Sequence, residues 1–214
     1  MTNSFDSIIF DMDGTLWDAV DSYCKIWDTT FNQLGIKQTV SRDELLKCMG
    51  MPIHEIFNNI ANTIINIDEQ HFLNLLDKNE REMMPILGGK LYTGVYDGIK
   101  LLSDKYKLYM VSNCGADGLK NFLSFTQLKP YFYDTLTHGE TNLSKADNIK
   151  ILIERNNLNS AIYVGDTQSD CNAAHKAGIP MIFAKYGFGE CENAEYTIES
   201  FSDLLDLLFK NLYK

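Results

Sequence analysis

Two aspartates separated by one residue follow a short apolar run near the start of the chain. The run Ser7-Ile8-Ile9-Phe10 predicts a buried strand, and Asp11, Asp13 and Gly14 come directly after it. Aspartate and glycine are also common turn residues, so a plain turn is the alternative interpretation. A carboxylate at the end of a buried strand needs a partner, however, because an unpaired buried charge is costly. This position favours a chemical role.

A second acidic segment, GDTQSD at 165–170, follows another apolar run, Ile162-Tyr163-Val164. It adds Asp166 and Asp170 at the end of a second predicted strand, although a capped turn would also explain it. Four aspartates at one sheet edge would repel one another unless a cation joined them. Oxygen ligands select a hard ion, and Mg²⁺ is the usual one where a phosphate shares the site.

Neutral and cationic side chains that suit an anion lie elsewhere in the chain. Ser112 and Asn113 follow the apolar run Leu108-Tyr109-Met110-Val111, and Lys145 follows the predicted helix cap Ser144. A lysine in the first turn of a helix opposes the helix dipole. An anion bound there would relieve that conflict, because helix N-termini favour phosphate. A turn and a solvated surface lysine are the simpler alternatives.

The elements that must position these residues alternate between strands and helices. Alternation implies crossover connections and a mostly parallel sheet, so we predict an α/β protein with a Rossmann-like core. Ligands of such sheets bind beyond the carboxyl ends of the strands, where the polar residues above fall. Apolar periodicity predicts five core helices, which carry Val95 to Leu102, Leu119 to Phe125, Ile149 to Ile153, Ser169 to Lys176 and Leu204 to Leu212. Further strands are predicted near Tyr133 to Leu136, at Met181 to Phe183 and at Tyr196 to Ile198.

One stretch breaks the alternation just after the first strand. Residues 18–85 show three helical faces, which carry Val20 to Leu34, Ile53 to Ile64 and Phe72 to Leu76, and the last fades near Pro85. We therefore predict an inserted all-helical cap at 18–85, and an α/β core formed by residues 1–17 and 86–214. Hinges are expected at Trp17-Asp18 and between Pro85 and Gly89.

Composition excludes several classes of protein. The 214 residues carry 19 Lys and Arg against 29 Asp and Glu, a net charge of -10, which disfavours nucleic acid and anionic lipid as partners. No apolar run approaches the roughly 20 residues of a membrane span, and the start lacks the pattern of a secretory signal. The five cysteines are widely spaced, which favours reduced thiols and a cytoplasmic location.

Taken in order, these motifs resemble the haloacid dehalogenase superfamily. Asp-x-Asp-Gly-Thr, then Ser, then Lys, then Gly-Asp-x-x-x-Asp covers nearly the whole chain, and the helical insert looks like that family's cap of the first type. The resemblance implies a Mg²⁺-dependent phosphohydrolase that acts through an aspartyl-phosphate.

The resemblance also implies residue roles. Asp11 matches the nucleophile and Asp13 the general acid and base. Ser112 and Lys145 match the groups that hold phosphoryl oxygens, with Asn113 as a further donor. Metal ligation falls to Asp11, the backbone carbonyl of Asp13 and Asp166, and Asp170 supports the metal site directly or through water.

Branches of the superfamily differ at residues that this chain shows. An acid at Asp13 favours phosphate chemistry over dehalogenation, and Gly165 departs from the Glu-Asp common in sugar-phosphate mutases. The form here looks more like the phosphoglycolate phosphatase and pyrophosphatase group, as does the aromatic and glycine segment 185–189. Members of that group often have a proline soon after the lysine. In this chain Lys145 is followed instead by Ala146, Asp147 and Asn148. A sugar-phosphate phosphatase or mutase stays an alternative.

Two further alternatives come from outside catalysis. A response-regulator receiver also combines clustered aspartates, Mg²⁺, a hydroxyl and a lysine, but its phosphorylated aspartate ends the third strand and its domain lacks a large helical insert. A catalytically inactive phosphate-binding member of the superfamily is the other alternative.

The cap loop 47–52 is the predicted selector of substrate. Lys47, Met49, Gly50 and Met51 lie between two cap helices, where the glycine and Pro52 permit a turn toward the core. An ordinary helix connector is the alternative interpretation. Closure of the cap predicts a small phosphorylated metabolite, with phosphoglycolate as first choice, and the protein is expected to be a monomer or weak homodimer.

Overall fold

The computed structural model describes residues 5–61 and 68–210. Its strands are β1 (Ser7–Phe10), β2 (Trp17–Asp18), β3 (Lys90–Leu91), β4 (Lys107–Ser112), β5 (Phe132–Thr137), β6 (Ala161–Gly165), β7 (Met181–Ala184) and β8 (Tyr196–Ile198). Its helices are α1 (Val20–Gln33), α2 (Arg42–Leu46), α3 (Ile53–Ala61), α4 (Glu69–Leu87), α5 (Val95–Ser103), α6 (Gly118–Thr126), α7 (His138–Thr141), α8 (Lys145–Asn156), α9 (Gln168–Ala177) and α10 (Phe201–Lys210), with a short 3₁₀ helix at Lys129–Tyr131. The predicted apolar positions Ile64 and Leu212 lie outside the described residues.

The main sheet has the strand order β5-β4-β1-β6-β7-β8, and all of its pairings are parallel. Successive side chains of a strand point to opposite faces. Ile8 and Phe10 therefore pack into one apolar cluster, and Ile9 packs into a second cluster on the other face. Helices cover both clusters, which confirms the predicted Rossmann-like α/β fold. β4, β1 and β6 lie side by side, so their carboxyl ends meet at one edge.

The described residues of the predicted cap contain four helices. α1 contacts α2 and α4, and α2 contacts α3. The centre of this bundle is an aromatic cluster in which the ring of Phe72 lies 5.2 Å from the rings of Trp27, Phe31 and Phe57. Such aromatic contacts stabilise a small helical unit. The boundary of the cap at residues 18 and 85 stays a prediction.

The third predicted cap helix, α4, extends past Pro85 and does not fade there. Pro85 lies in the last turn, and the helix ends at Leu87, where Gly88 takes a φ of +57° and donates its N–H to the Met84 carbonyl. Proline removes one backbone donor, but the neighbouring turns keep the helix intact. The left-handed glycine therefore sets the end of the helix.

A short antiparallel pair joins the two ends of the helical stretch. Trp17 is the register partner of Leu91, and Asp18 is the partner of Lys90. Two-residue strands are too short to show a period in sequence, so neither β2 nor β3 was predictable from hydrophobic patterning. The chain consequently leaves the sheet edge and returns to it at adjacent positions.

Candidate active site

Three carboxylates converge at the shared edge of β1 and β6. Asp11 directly follows β1, Asp166 directly follows β6, and Asp170 lies in the first turn of α9. One oxygen of each lies within 4.8 Å of the other two, and all three residues are buried. The structure thus brings together three of the four aspartates that the sequence singled out.

Lys145 lies between two of these carboxylates. It is the first residue of α8, whose cap Ser144 accepts a hydrogen bond from the N–H of Asp147, as the sequence predicted. Its Nζ lies 3.1 Å from Asp11 Oδ1 and 2.5 Å from Asp170 Oδ1. The lysine is 5% exposed, so these ion pairs are shielded from water.

Asp170 is held by donors on both of its oxygens. Oδ2 accepts hydrogen bonds from the backbone N–H groups of Asp166 and Thr167 and from the Thr167 hydroxyl, at 3.2, 3.0 and 2.7 Å. Oδ1 accepts from Lys145. Because its lone pairs are engaged in this way, Asp170 has little free oxygen to offer a metal ion. Its main effect is to orient Lys145 and the start of α9.

Asp166 lies in a tight cradle that leaves it no exposed surface. Its Oδ1 accepts from the Thr15 hydroxyl at 3.2 Å, and its Oδ2 accepts from the Phe188 N–H at 2.8 Å. A Cβ on Gly14 would lie 2.0 Å from Asp166 Oδ2, and one on Gly187 would lie 2.3 Å from Asp166 Cβ. The close approach requires glycine at both positions.

Burial and mutual repulsion shift the titration of the cluster. Burial raises the pKa of Asp11 to about 6, against the attraction of Lys145 and with the repulsion of Asp170. Burial, with the Asp170 and Asp11 charges, raises the pKa of Asp166 well above its usual range. Burial lowers the pKa of Lys145, but Asp11 and Asp170 outweigh this effect and raise it well above its ordinary value. One lysine therefore does not neutralise the three acids.

This donor set fits a hard divalent cation. Asp11 Oδ1 is buried, and although Lys145 lies nearby, it receives no hydrogen bond from the described residues. Asp11 and Asp166 supply carboxylate oxygens at one point, and no cysteine or histidine belongs to the cluster. All-oxygen ligation suits Mg²⁺, Ca²⁺ or Mn²⁺ better than softer metals.

Asp13 lies apart from the buried triad and faces the cavity. The Trp17 indole N–H donates to Asp13 Oδ1 at 2.9 Å, and the Tyr23 hydroxyl donates to Oδ2 at 3.3 Å. Burial and the charge of Asp11 raise the pKa of Asp13 to about 8, while the two hydrogen bonds act in the opposite direction. At neutral pH the carboxyl group is therefore mainly protonated.

The two predicted phosphate donors differ in what they contact. Ser112 ends β4 and borders the cavity beside Asp11 and Asp13. Asn113 also borders it, but its amide donates to the Gly50 carbonyl at 2.9 Å. Asn113 therefore links the sheet edge to the loop between α2 and α3.

That loop contributes unequally to the cavity. Met49, Gly50 and Met51 line it, and Gly50 adopts a φ of +83° close to Thr167. Lys47 is exposed and lies outside the lining residues, so the structure does not bring it to the site with the other three.

The cavity has a volume of about 330 Å³ and lies between the sheet edge and helices α1 to α4. Two of its residues, Tyr23 on α1 and Glu80 on α4, escaped the sequence analysis. Tyr23 carries a hydroxyl on a largely apolar helical face, which is a signal that could have marked it. No sequence signal marks Glu80, because the pattern does not show which polar side of α4 covers the site.

The last predicted site segment follows β7. The Tyr186 hydroxyl donates to the Thr15 carbonyl at 2.8 Å, and Phe188 provides the N–H for Asp166. Segment 185–189 thus closes the cradle around Asp166, with Gly187 next to the Gly14 carbonyl.

Comparison with known proteins gives this arrangement a family. The model of the haloacid dehalogenase-like hydrolases matches residues 8–184, a range that includes all four aspartates and Lys145. The chain belongs to that family. Its membership confirms that this protein is an enzyme of the haloacid dehalogenase superfamily, as its motifs predicted, and removes the receiver alternative.

Individual relatives of this haloacid dehalogenase-like hydrolase are similar along nearly their full length. It is 26% identical over 209 residues to a phosphoglycolate phosphatase of Aquifex aeolicus, a match that covers 94% of this chain and 95% of that one. It is 24% identical over 218 residues to the pyrophosphatase PpaX of Listeria monocytogenes, with 97% and 98% covered. The comparisons therefore group the hydrolase with the phosphatases of the superfamily.

A solved structure has the same fold. The haloacid dehalogenase-like family hydrolase of Streptococcus pneumoniae superposes with a TM-score of 0.84 at 23% identity, and covers 97% of this chain and 99% of its own. Among the described residues, no helix has the length and apolar character that crossing a membrane requires.

Proposed function

We propose that the protein is a Mg²⁺-dependent phosphatase that hydrolyses a small phosphomonoester through an aspartyl-phosphate on Asp11. The observation that carries the proposal is the buried cluster of Asp11, Asp166 and Asp170 around Lys145, at the bottom of a cavity that also holds Asp13. Phosphoryl transfer depends mostly on positioning and charge neutralisation, and this cluster provides both.

In the first step, an Asp11 oxygen attacks phosphorus while the bond to the leaving oxygen breaks. Asp11 suits this role because it lines the cavity and its Oδ1 receives no hydrogen bond from the described residues. Lys145 is already within 3.1 Å of that oxygen. Its charge offsets part of the repulsion between the carboxylate and the incoming phosphoryl oxygens. Ser112 and Asn113 offer neutral donors at the same edge.

Asp13 moves the protons of both steps. Its raised pKa, about 8, keeps a proton available for the leaving oxygen at neutral pH. In the second step, the same group accepts a proton from the water that attacks phosphorus. The Asp11–phosphorus bond then breaks and inorganic phosphate leaves. Trp17 and Tyr23 hold the Asp13 carboxyl in one orientation for both transfers.

The Mg²⁺ ligands in this proposal are Asp11, Asp166 and, by the family resemblance, the backbone carbonyl of Asp13. Asp170 orients Lys145 and supports the site. When bound, Mg²⁺ supplies positive charge that offsets the repulsion between the nucleophile and the phosphoryl group.

The test is hydrolysis of para-nitrophenyl phosphate by the purified full-length chain. We expect phosphate release with Mg²⁺, none with EDTA, and recovery when excess Mg²⁺ is added back. Asp11→Asn should abolish turnover and the acid-stable label left by ³²P-phosphoester, while Asp97→Asn, an exposed aspartate on α5, should leave both unchanged.

Asp13→Asn separates acid catalysis from metal binding. It should keep Mg²⁺ binding, measured by calorimetry, and lose about 10²- to 10⁴-fold in kcat with a poor leaving group. The absence of turnover across a broad panel of phosphate esters with Mg²⁺ would refute the proposal in favour of an inactive phosphate-binding protein.

A further inference from the structure

The wall of the cavity opposite the catalytic edge is one face of α4. Gln70, Asn74, Asp77 and Glu80 line the cavity at spacings of four, three and three residues. These spacings place side chains in one row along a helix. The leaving group of a substrate whose phosphate lies at Asp11 would therefore meet this row of two amides and two carboxylates.

Glu80 is the unsatisfied member of the row. Asp77 forms an ion pair with Arg81 at 2.8 Å, and Arg81 also pairs with Asp117. Glu80 has no hydrogen bond and no ion pair within residues 5–61 and 68–210. Burial, together with the Asp77 and Asp117 charges, raises the pKa of Glu80 to about 7, against the weaker effect of Arg81. A cation placed beside it would relieve this repulsion.

Among the described residues that line the cavity, no lysine or arginine is left unpaired for a second acidic group on the substrate. Lys145 is the one lysine or arginine among the described lining residues, and Asp11 and Asp170 already pair with it. The two lining histidines are engaged as well: His54 Nδ1 lies 2.8 Å from a Glu69 oxygen, and His138 Nδ1 lies 2.9 Å from the Leu143 carbonyl oxygen. Residues 62–67 contain no Lys, Arg or His in the sequence. A carboxylate on the leaving group would face Glu80 without a partner.

Apolar side chains cover much of the remaining wall. Trp27, Met51, Ile53 and Leu73 all line the cavity beside the polar row. A leaving group that combines hydrocarbon with a charged nitrogen would satisfy both surfaces, because a carboxylate that a bound ligand shields from water needs a partner.

Resting on the phosphatase function proposed above, we infer that the substrate is a phosphomonoester whose alcohol carries a protonated amine that Glu80 binds. Phosphorylated carboxylates such as phosphoglycolate are disfavoured by the same carboxylate. This inference differs from the first choice of substrate made from the sequence, which rested on closure of the cap and on family resemblance.

Three phosphates that share a two-carbon skeleton test the inference. O-phosphoethanolamine carries an ammonium, ethyl phosphate carries no further charge, and phosphoglycolate carries a carboxylate. We expect kcat/KM for O-phosphoethanolamine to exceed that for ethyl phosphate by at least tenfold, and phosphoglycolate to rank last. Where turnover is slow, the inhibition constants of the three against para-nitrophenyl phosphate hydrolysis should follow the same order.

Glu80→Gln assigns the preference to its source. The substitution keeps the shape and removes the charge, so the ratio of kcat/KM between O-phosphoethanolamine and ethyl phosphate should fall at least threefold. Glu82→Gln is the matched control, because Glu82 lies on the same helix, is exposed and is outside the cavity lining. It should leave the ratio unchanged.

The outcomes separate the two proposals. Hydrolysis of para-nitrophenyl phosphate with phosphoglycolate ranked first or equal would overturn the amine inference and leave the phosphatase intact. An unchanged ratio in Glu80→Gln would also overturn the role of Glu80. Absence of hydrolysis of every ester would instead overturn the function on which the inference rests.

Discussion

Replacement of Lys145 by methionine should reveal how much the buried acids depend on one cation. Lys145→Met keeps most of the apolar stem but leaves Asp11 and Asp170 without their ion pairs at 3.1 and 2.5 Å. At an effective dielectric constant of about 20, each pair corresponds to roughly 5 to 7 kcal/mol of gross attraction. Desolvation offsets much of it, so we expect a net loss of about 3 to 5 kcal/mol in the free energy of unfolding at pH 8.

The loss should depend on pH in a defined direction. The pKa of Asp11 is raised from 3.8 to about 6 in the folded protein, so the folded state binds more protons than the unfolded state between these values. Stability therefore falls as pH rises through this window. Without Lys145 the folded pKa rises further and the window extends upward. The difference between the two proteins should consequently be smaller near pH 5, where Asp11 is largely protonated, than at pH 8.

Thermal and urea unfolding followed by circular dichroism, in EDTA at pH 5 and pH 8, measure this effect. For a chain of this size, the loss at pH 8 corresponds to a drop in Tm of about 6 to 20 °C. Lys100→Met, at an exposed position on α5, should change Tm by less than about 2 °C. An equal drop at both pH values, or a larger one at pH 5, would refute the electrostatic reasoning.

Two further substitutions test the surroundings of the catalytic acids. Gly14→Ala should reduce kcat by more than about 100-fold and lower Tm, because its Cβ would lie 2.0 Å from Asp166 Oδ2. Gly94 also has a positive φ but faces open space, so Gly94→Ala should cost only about 1 kcal/mol of stability. Steady-state kinetics and thermal unfolding measure both effects. Equal losses in the two variants would contradict this reasoning. Tyr23→Phe removes a hydrogen bond that lowers the pKa of Asp13, so the alkaline limb of the kcat/KM profile, expected near pH 8, should move to higher pH; a shift to lower pH would show that the hydroxyl acts otherwise.

The catalytic edge was predictable from sequence because its residues sit at fixed distances from strand ends. Asp11 and Asp166 each follow an apolar run directly, and neighbouring parallel strands bring such positions together whatever the helices do. Lys145 was predictable for a related reason, since the Ser144 cap fixes where α8 begins. At these positions the local sequence pattern and the strand order of the sheet predict the same location for the side chain.

The far wall of the cavity was not predictable in the same way. Periodicity shows which face of α4 packs into the bundle, but a polar face that covers a cavity has the same pattern as one that faces water. Glu80 lines the cavity, yet nothing in the sequence pattern selects it, whereas Lys47, which the sequence did select, is exposed and lies outside the lining. The polar side of α4 comes to line the cavity through the packing of α1 against α4. This packing depends on side chains that are far apart in the chain.

The pairing of β2 with β3 has a consequence for how this enzyme can be varied. Asp18 and Lys90 are neighbours across that ribbon, so a connection of a few residues could span the gap that more than seventy residues now bridge. A chain shortened in this way would keep Asp11, Asp166 and Lys145, all of which come from outside the bridged stretch. It would lose Tyr23 and Glu80, and with them one of the two hydrogen bonds to Asp13 and the Glu80 carboxylate on the far wall. The proposed phosphoryl transfer and the proposed choice of leaving group therefore depend on different segments of the chain. These segments meet at the four residues of the β2–β3 pair.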